Sequence, residues 1–524
     1  MADTTTSVTP GYFKVAGREF PKINWLKNRN LRTTYFMLFF VMLTSATNGY
    51  DGSMVNGLLT LEQFTGYMGD PSGSIKGLFS GILFLGSLAA LPVTPYIADG
   101  LGRRWGIVIG STIMLGAVAL QSASINYQMF IAARFFLGFG VAIAHGAAPL
   151  LITEVCHPQH RAVFTTIYNT TWNIGSIIAA WLTYGTNNID NQWAWRIPSI
   201  AQALPSILQI IFVWFVPESP RWYISKGQPE KALQVIAHVH AEGNHEDELV
   251  QLEFEEVKET IQIEKEAEQT GWLELFKTKG NRHRLLILVS AGLFSQWSGN
   301  GLVSYYISGV LDTIGIRDSD TKLKINGGLN IWNMVVSTTM CFFVEKIGRR
   351  PLFLISTGGM CLTFVIWTIL SERFAATQVK ANGSAVVAMI FLYYTFYNLA
   401  WSGLLVSYTV EILPYSMRAK GMCYVFVMVD IALFFNTYVN PIALGDIAWK
   451  YYIVYCVWLA FELGFIYLFY IETKNTPLEE IAKYFDGNAA LVGGHAATEK
   501  GAVIHQEIED KRANSVAEEH IETK

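Results

Sequence analysis

Asp51 lies well inside the first long apolar run of this chain, LRTTYFMLFFVMLTSATNGYD, and Arg134 lies inside another. A charged side chain in hydrocarbon costs several kcal/mol unless it faces a wet cavity or meets a partner, and an intramembrane acid points to proton or ion chemistry. Helical spacing puts Thr44, Asn48 and Asp51 on one face. Arg134, Gly138 and His145 share nearly one face of their own run. Other apolar runs carry amides beside aromatic rings: Asn169, Trp172 and Asn173; Gln296, Asn300 and Ser304 with Trp297 and Tyr305; Asn330 and Asn333; Tyr397, Asn398 and Trp401; Asn436 and Asn440. Amides both donate and accept hydrogen bonds, and flat rings cover C–H faces, so the combination suits a neutral polyol. Taken singly, each amide serves equally well as hydrogen-bond glue between helices, and His145 reads as a core histidine.

The elements that must hold these groups are membrane helices. Only 15% of the 524 residues are charged and 51% are hydrophobic, with mean hydropathy +0.30. A soluble chain carries about a quarter charged residues. Apolar runs of about 20 residues fit a bilayer-crossing helix, whereas barrel strands alternate and are about half that length. The runs define twelve spans, at 33–58, 75–97, 105–124, 127–151, 163–185, 195–216, 284–312, 324–345, 350–371, 384–411, 418–443 and 448–471. The expected fold class is an all-α membrane protein, with two six-helix bundles at 33–216 and 284–471. A polar segment, 1–32, precedes them; a charged helical linker, 217–283, joins them; and a polar tail, 472–524, expected to be disordered, follows. The first run is too long for a cleaved signal peptide and reads as a signal anchor. The five cysteines read as small core residues.

The two halves repeat each other. DGLGRR (99–104) follows span 2 and EKIGRR (345–350) follows span 8; EVCHPQHR (154–161) follows span 4 and EILPYSMR (411–418) follows span 10. Each pair places an acid and arginines at matched spacing: Asp99, Arg103, Arg104, Glu154 and Arg161 in the first half, Glu345, Arg349, Arg350, Glu411 and Arg418 in the second. Parallel six-helix repeats are a common build of secondary transporters, with the substrate site between the halves at mid-membrane. Lysine and arginine bias puts both termini and the linker on the cytoplasmic side, which leaves the sequon at Asn382 outside as a glycosylation acceptor. The repeated charges then sit at cytoplasmic helix ends and are read as a gating latch, held in the outward-open state and broken for inward opening. The plainer reading is topogenic charge.

These motifs carry a resemblance. With RFFLGFG (134–140), PESPRW (217–222) and ETKNTPLEEI (472–481), residues 45–480 resemble the sugar porter family of the major facilitator superfamily. SQWSGNGLVSYY (295–306) and VNPIAL (439–444) resemble more narrowly the fungal lactose permease and cellodextrin transporter branch. The chain departs from the family pattern at Pro95, Glu345, Pro158, Ser295-Gln296 and Val406, which argues against an ordinary glucose site. In proton-coupled members an aspartate in helix 1 and an arginine in helix 4 form the proton switch, and Asp51 and Arg134 match them; the alternative is a purely structural ion pair. By position the resemblance singles out Gln296, Asn333 and Asn169, then Asn436 and Asn440, as sugar contacts; Asn300, Trp172 and Trp401 complete the candidate site.

The resemblance implies a proton-coupled importer of a neutral sugar, such as lactose or cellobiose, in a fungal plasma membrane. The rival readings are a hexose or pentose uniporter and a sugar sensor that does not transport. Anionic substrates fit poorly, because Arg134 is the only arginine well inside a span. No P-loop, metal cluster or catalytic triad stands in the sequence, so neither an enzyme nor a cofactor is expected. The expected partners are sugar, protons and lipid, with no nucleic acid, and the carrier is expected to be a monomer. The sequence assigns no role to Asp430 or Glu462.

Overall fold

The structure, a computed structural model, describes residues 11–15, 18–71, 73–267, 272–341, 347–414, 417–474, 481 and 483–485. Glu345 and most of the tail after 474 lie outside the described residues.

Twelve helical stretches run in chain order among the described residues. Span 1 is Arg29–Leu58; span 2 is Ser74–Ala90 with Thr94–Gly100; span 3 is Arg103–Ser122; span 4 is Tyr127–Val155; span 5 is Arg161–Thr186; span 6 is Trp193–Ala201 with Ala203–Phe212. Span 7 is Lys279–Trp297 with Asn300–Thr313; span 8 is Ser319–Cys341; span 9 is Arg349–Thr377; span 10 is Lys380–Ile412; span 11 is Arg418–Ile447; span 12 is Tyr451–Phe469. By length and apolar composition alone, six helices qualify as membrane-crossing, or seven with the bent pair of span 2. Spans 1, 5, 7 and 8 are not among these six, and one of the six, Lys420–Phe469, runs through both spans 11 and 12. Outward-facing side chains are apolar: Ile178, Leu362 and Val457 are 53%, 61% and 67% exposed, as a lipid-facing surface requires.

Local chemistry accounts for the interruptions. Span 2 bends by 51° across Leu91–Val93, where Pro92 removes a backbone donor. Span 6 is jointed at Gln202, because Pro205 cannot bond back to the Ala201 carbonyl. Span 7 breaks at Ser298–Gly299, where Gly299 takes the left-handed φ of 101°. Pro441 in span 11 frees the Thr437 carbonyl, and the Tyr306 hydroxyl fills it at 2.7 Å. Spans 1 and 5 touch backbone to backbone: a Cβ on Gly49 would strike the Trp172 carbonyl, and one on Gly175 the Ala46 carbonyl. Small residues permit such approach in membranes.

The linker carries helices at Pro220–Ser225, Pro229–His240, Glu248–Ala267 and Glu274–Lys277. Before span 1 the chain forms a hairpin, β1 (Tyr12–Val15) antiparallel to β2 (Arg18–Pro21), which sequence reading missed. The hairpin lies on the linker end of the first half: Arg18 pairs with Glu248 at 3.0 Å and Phe13 stands edge-on to His157 at 5.5 Å.

Among the described residues, the hydrogen bonds that join the halves lie at mid-span or at the end away from the linker. Asn56 Nδ2 donates to the Val303 carbonyl and to Asn326 Oδ1, both at 3.3 Å, and Ser319 reaches the Thr60 carbonyl at 3.2 Å. At mid-span, Ser176 donates to Asn330 at 2.8 Å and Asn173 to Ser337 at 3.4 Å.

Candidate functional site

Asp51 and Arg134 meet. Both are nearly sealed, at 1% and 2% exposure, and a guanidinium N–H of Arg134 bonds Asp51 Oδ1 directly. Arg134 Nε donates to the Phe79 carbonyl at 2.9 Å, which fixes the plane of the guanidinium. The same Oδ1 accepts from Gln202 Nε2 at 2.8 Å, and Gln202 is held in turn by Gln121 at 3.2 Å. The joint in span 6 places Gln202 there. One heptad on, Gln209 bonds Thr44 at 2.5 Å and Ser111 at 3.1 Å. The acid is therefore paired and hydrogen-bonded, which a buried charge needs. Protonation would remove its charge and leave Arg134 without a counterion. His145 shares a hydrogen bond with Tyr168 at 2.9 Å, within the first half.

Tyr305 links this pair to span 7. Its ring stands edge-on to Phe84 at 5.9 Å, and a Cβ on Gly52, the neighbour of Asp51, would meet it at 3.8 Å. Beyond it lie the amides. Asn300 Nδ2 donates to the Tyr397 hydroxyl at 3.1 Å and approaches Gln296 Oε1 at 3.5 Å, while Asn300 Oδ1 is buried without a partner. Tyr397 in turn bonds the Ser295 carbonyl at 2.8 Å. Asn333 Oδ1 accepts from Asn398 at 3.0 Å. Gln296 and Asn333 are half-buried, while Asn169 and Trp172 on span 5 are exposed.

Three of the expected contacts are bonded within the second half. Asn436 donates to the Gln296 carbonyl at 2.8 Å and accepts from Asn440 at 2.8 Å. Asn440 Oδ1 receives the Tyr455 and Tyr451 hydroxyls at 2.8 and 2.9 Å. Trp401, 2% exposed, donates to Thr357 at 3.1 Å and packs on Phe353. All of these bonds lie inside the second half.

The repeated charges build one brace in each half. Arg103 bonds Glu154 and Asp99, both at 3.0 Å; Arg349 bonds Glu411 at 2.9 Å. Two acids outside the expected set complete them. Glu218 accepts the backbone N–H of Arg103 at 3.2 Å and of Arg104 at 3.1 Å; Glu472 accepts those of Arg349 at 2.9 Å and Arg350 at 3.1 Å. A carboxylate on the free N–H groups of a helix start is favourable for hydrogen bonding and dipole alike. Burial raises the Glu218 pKa above the usual carboxylate value, and the N–H bonds oppose it. Gly102 and Gly348, at φ 111° and 110°, open these helices, and a Cβ on either would collide with the bridging acid. Arg104 caps the Trp214 carbonyl at 2.8 Å and lies over that ring; Arg350 does the same at Tyr467, at 2.7 Å.

The described pairs close within one half and do not bridge the two, so they brace helix ends. They are formed here while the halves are joined at the opposite end. Arg161 turns from Glu154 to the linker, bonding Glu253 at 3.2 Å.

A family description, Sugar (and other) transporter, matches residues 37–485. The chain belongs to that family. As a member of the sugar transporters it is a membrane carrier and not an enzyme. It is 32% identical over 479 residues to the MFS-type transporter oryC of Aspergillus oryzae, a match covering 87% of each chain. It is 26% identical to the high-affinity glucose transporter of Kluyveromyces lactis, covering 87% of this chain and 85% of that one. Among solved structures, the inward-open xylose transporter XylE from E. coli matches with a TM-score of 0.72 at 20% identity, over 86% of this chain and 99% of that one. That likeness supports the major facilitator fold.

Sequence reading of this sugar transporter missed Gln202, Gln121, Glu218 and Glu472. The first two are amides in apolar runs, and the polar-stripe logic applied to Asp51 would have found them. The second two stand in the quoted motifs PESPRW and ETKNTPLEEI, but only folding shows that their carboxylates cap helices distant in sequence.

Proposed function

We propose that this chain is a proton-coupled sugar importer working by alternating access in a fungal plasma membrane, with both termini cytoplasmic. The observation that carries the reading is the sealed Asp51–Arg134 pair, one residue from the Gly52 contact with Tyr305 in span 7. The acid exchanges its counter-charge for a proton as the carrier rocks, so that a sugar held by Gln296, Asn300 and Asn333 and a proton move together. Paired with Asp51, bonded to the Phe79 carbonyl and 2% exposed, Arg134 is not presented to an anionic substrate. The joining of the halves away from the linker corresponds, in the proposed orientation, to an outer side that is closed.

Within this reading the substrate is a β-linked disaccharide such as lactose or cellobiose. Support comes from the span 7 motif SQWSGNGLVSYY and from Val406, which stands where hexose carriers often have tryptophan. The test is uptake of labelled mono- and disaccharides by transport-null yeast at two external pH values. A symporter slows in alkaline medium and acidifies the cell during uptake. Asp51→Asn should abolish uphill accumulation and retain exchange. Full accumulation by that variant, or uptake blind to the pH gradient, would leave a uniporter; binding without uptake would leave a sensor.

A further inference from the structure

Glu462 is a carboxyl group in span 12 with no exposure at all. Among the described residues no arginine, lysine or histidine pairs with it. The titratable groups facing it are Tyr393 and Tyr397 of span 10, Tyr455 of span 12, Tyr470 just beyond and Cys361 of span 9. Ser298 Oγ lies 3.2 Å from Oε2, the Trp458 indole N–H one turn back also faces the carboxyl group, and Oε1 has no partner within hydrogen-bond geometry. Ser298 is the residue at which span 7 breaks, and its carbonyl accepts the Tyr393 hydroxyl at 2.9 Å.

Hydrogen counting assigns the proton. A hydroxyl has one hydrogen. Ser298 Oγ is also hydrogen-bonded to the Phe294 carbonyl, one turn back. A carbonyl has no hydrogen, so the serine hydrogen lies in that bond, as is common for serine within a helix. The hydrogen between Ser298 and Glu462 must then come from the carboxyl group. A neutral acid also fits a site without a cation, since an ionised carboxylate there would be an uncompensated buried charge.

We propose that Glu462 is a positioning residue of the sugar site. It keeps its proton and, through Ser298, fixes the break of span 7. Gln296 lies just before that break and Asn300 just after it, so the break sets the angle between the two amides. This rests on the reading of span 7 as the sugar contact.

Two measurements test it. The first needs no sugar. Purified protein should show an infrared carboxylic-acid C=O band that persists from neutral to mildly alkaline pH and is absent in Glu462→Gln. The second is labelled-sugar uptake. Glutamine can still donate to Ser298, so Glu462→Gln should hold KM within about two-fold and leave the pH profile and uphill accumulation intact. Glu462→Leu should raise KM about ten-fold, with a smaller change in kcat. Should that variant fail to fold, Ser298→Ala is expected to raise KM in the same way. Loss of accumulation in Glu462→Gln would make the residue a proton carrier and overturn the proposal. So would an unchanged KM in both Glu462→Leu and Ser298→Ala, or the lack of the infrared difference. If the wild-type protein moves no sugar, the transport reading fails while the infrared result still decides the protonation of Glu462.

Discussion

Asp51 has two donors on one oxygen, and they come from different spans. This makes the ion pair dependent on the joint in span 6. Gln202→Leu removes the amide and leaves Arg134 alone. A hydrogen bond to a charged group contributes about 1.5–3 kcal/mol, so the thermal midpoint in detergent should fall by several degrees and the pH profile of uptake should change. Gln209→Leu is the control. From the same span as Gln202 it removes bonds to Thr44 of span 1 and Ser111 of span 3 and should lower the midpoint with the pH profile unmoved. Equal pH behaviour in the two variants would detach Gln202 from the coupling acid.

The braces and the hairpin carry expectations at the level of elements. Gly348→Ala places a Cβ at a φ of 110° and against Glu472. Strained backbone of this kind costs about 1–3 kcal/mol, so the variant should melt earlier; an unchanged melting point would dismiss the brace. The hairpin rests on a histidine. His157 is buried, and burial first, then His240, His160 and Arg161, push its pKa down from 6.5 to about 3. Undocking takes Phe13 off the ring and relieves part of that burial, so its pKa rises towards the ordinary value. The neutral ring therefore favours docking, and that preference is lost as pH falls from about 6.5 towards 3. The protection of the amides of Tyr12–Val15 and Arg18–Pro21, taken relative to their intrinsic exchange at each pH, should fall between about pH 7.5 and about pH 5.5, and less so in His157→Phe. Protection that rises on acidification would reverse the sign argued here.

The molecule as a whole works by how its halves meet. Ser176 on span 5 and Asn330 on span 8 join them at mid-span, 2.8 Å apart. If the halves must separate there in each cycle, Ser176→Cys with Asn330→Cys should stop uptake under oxidising conditions, and reductant should restore it. The reach of a disulfide is short enough to hold the contact. Uptake that continues with the bridge formed would mean that this contact stays closed through the cycle.

The twelve spans, the two-half repeat and the placement of Asp51 were legible because each is a matter of local composition. Hydrocarbon forces every membrane helix to satisfy its own backbone and to declare itself as an apolar run, and a charge within such a run stands out. What could not be read this way was partnership. Asn436, Asn440 and Trp401 have the right chemistry for a sugar, but folding turns them onto Gln296, the span 12 tyrosines and Thr357. Glu218 and Glu472 look like ordinary linker and tail acids until the chain carries them back 115 and 123 positions to cap the helices that begin at Arg103 and Arg349. The one hydrogen on Ser298 belongs to the same lesson. Which group donates and which accepts depends on the atoms that meet there, and only packing in three dimensions brings Glu462 to that oxygen.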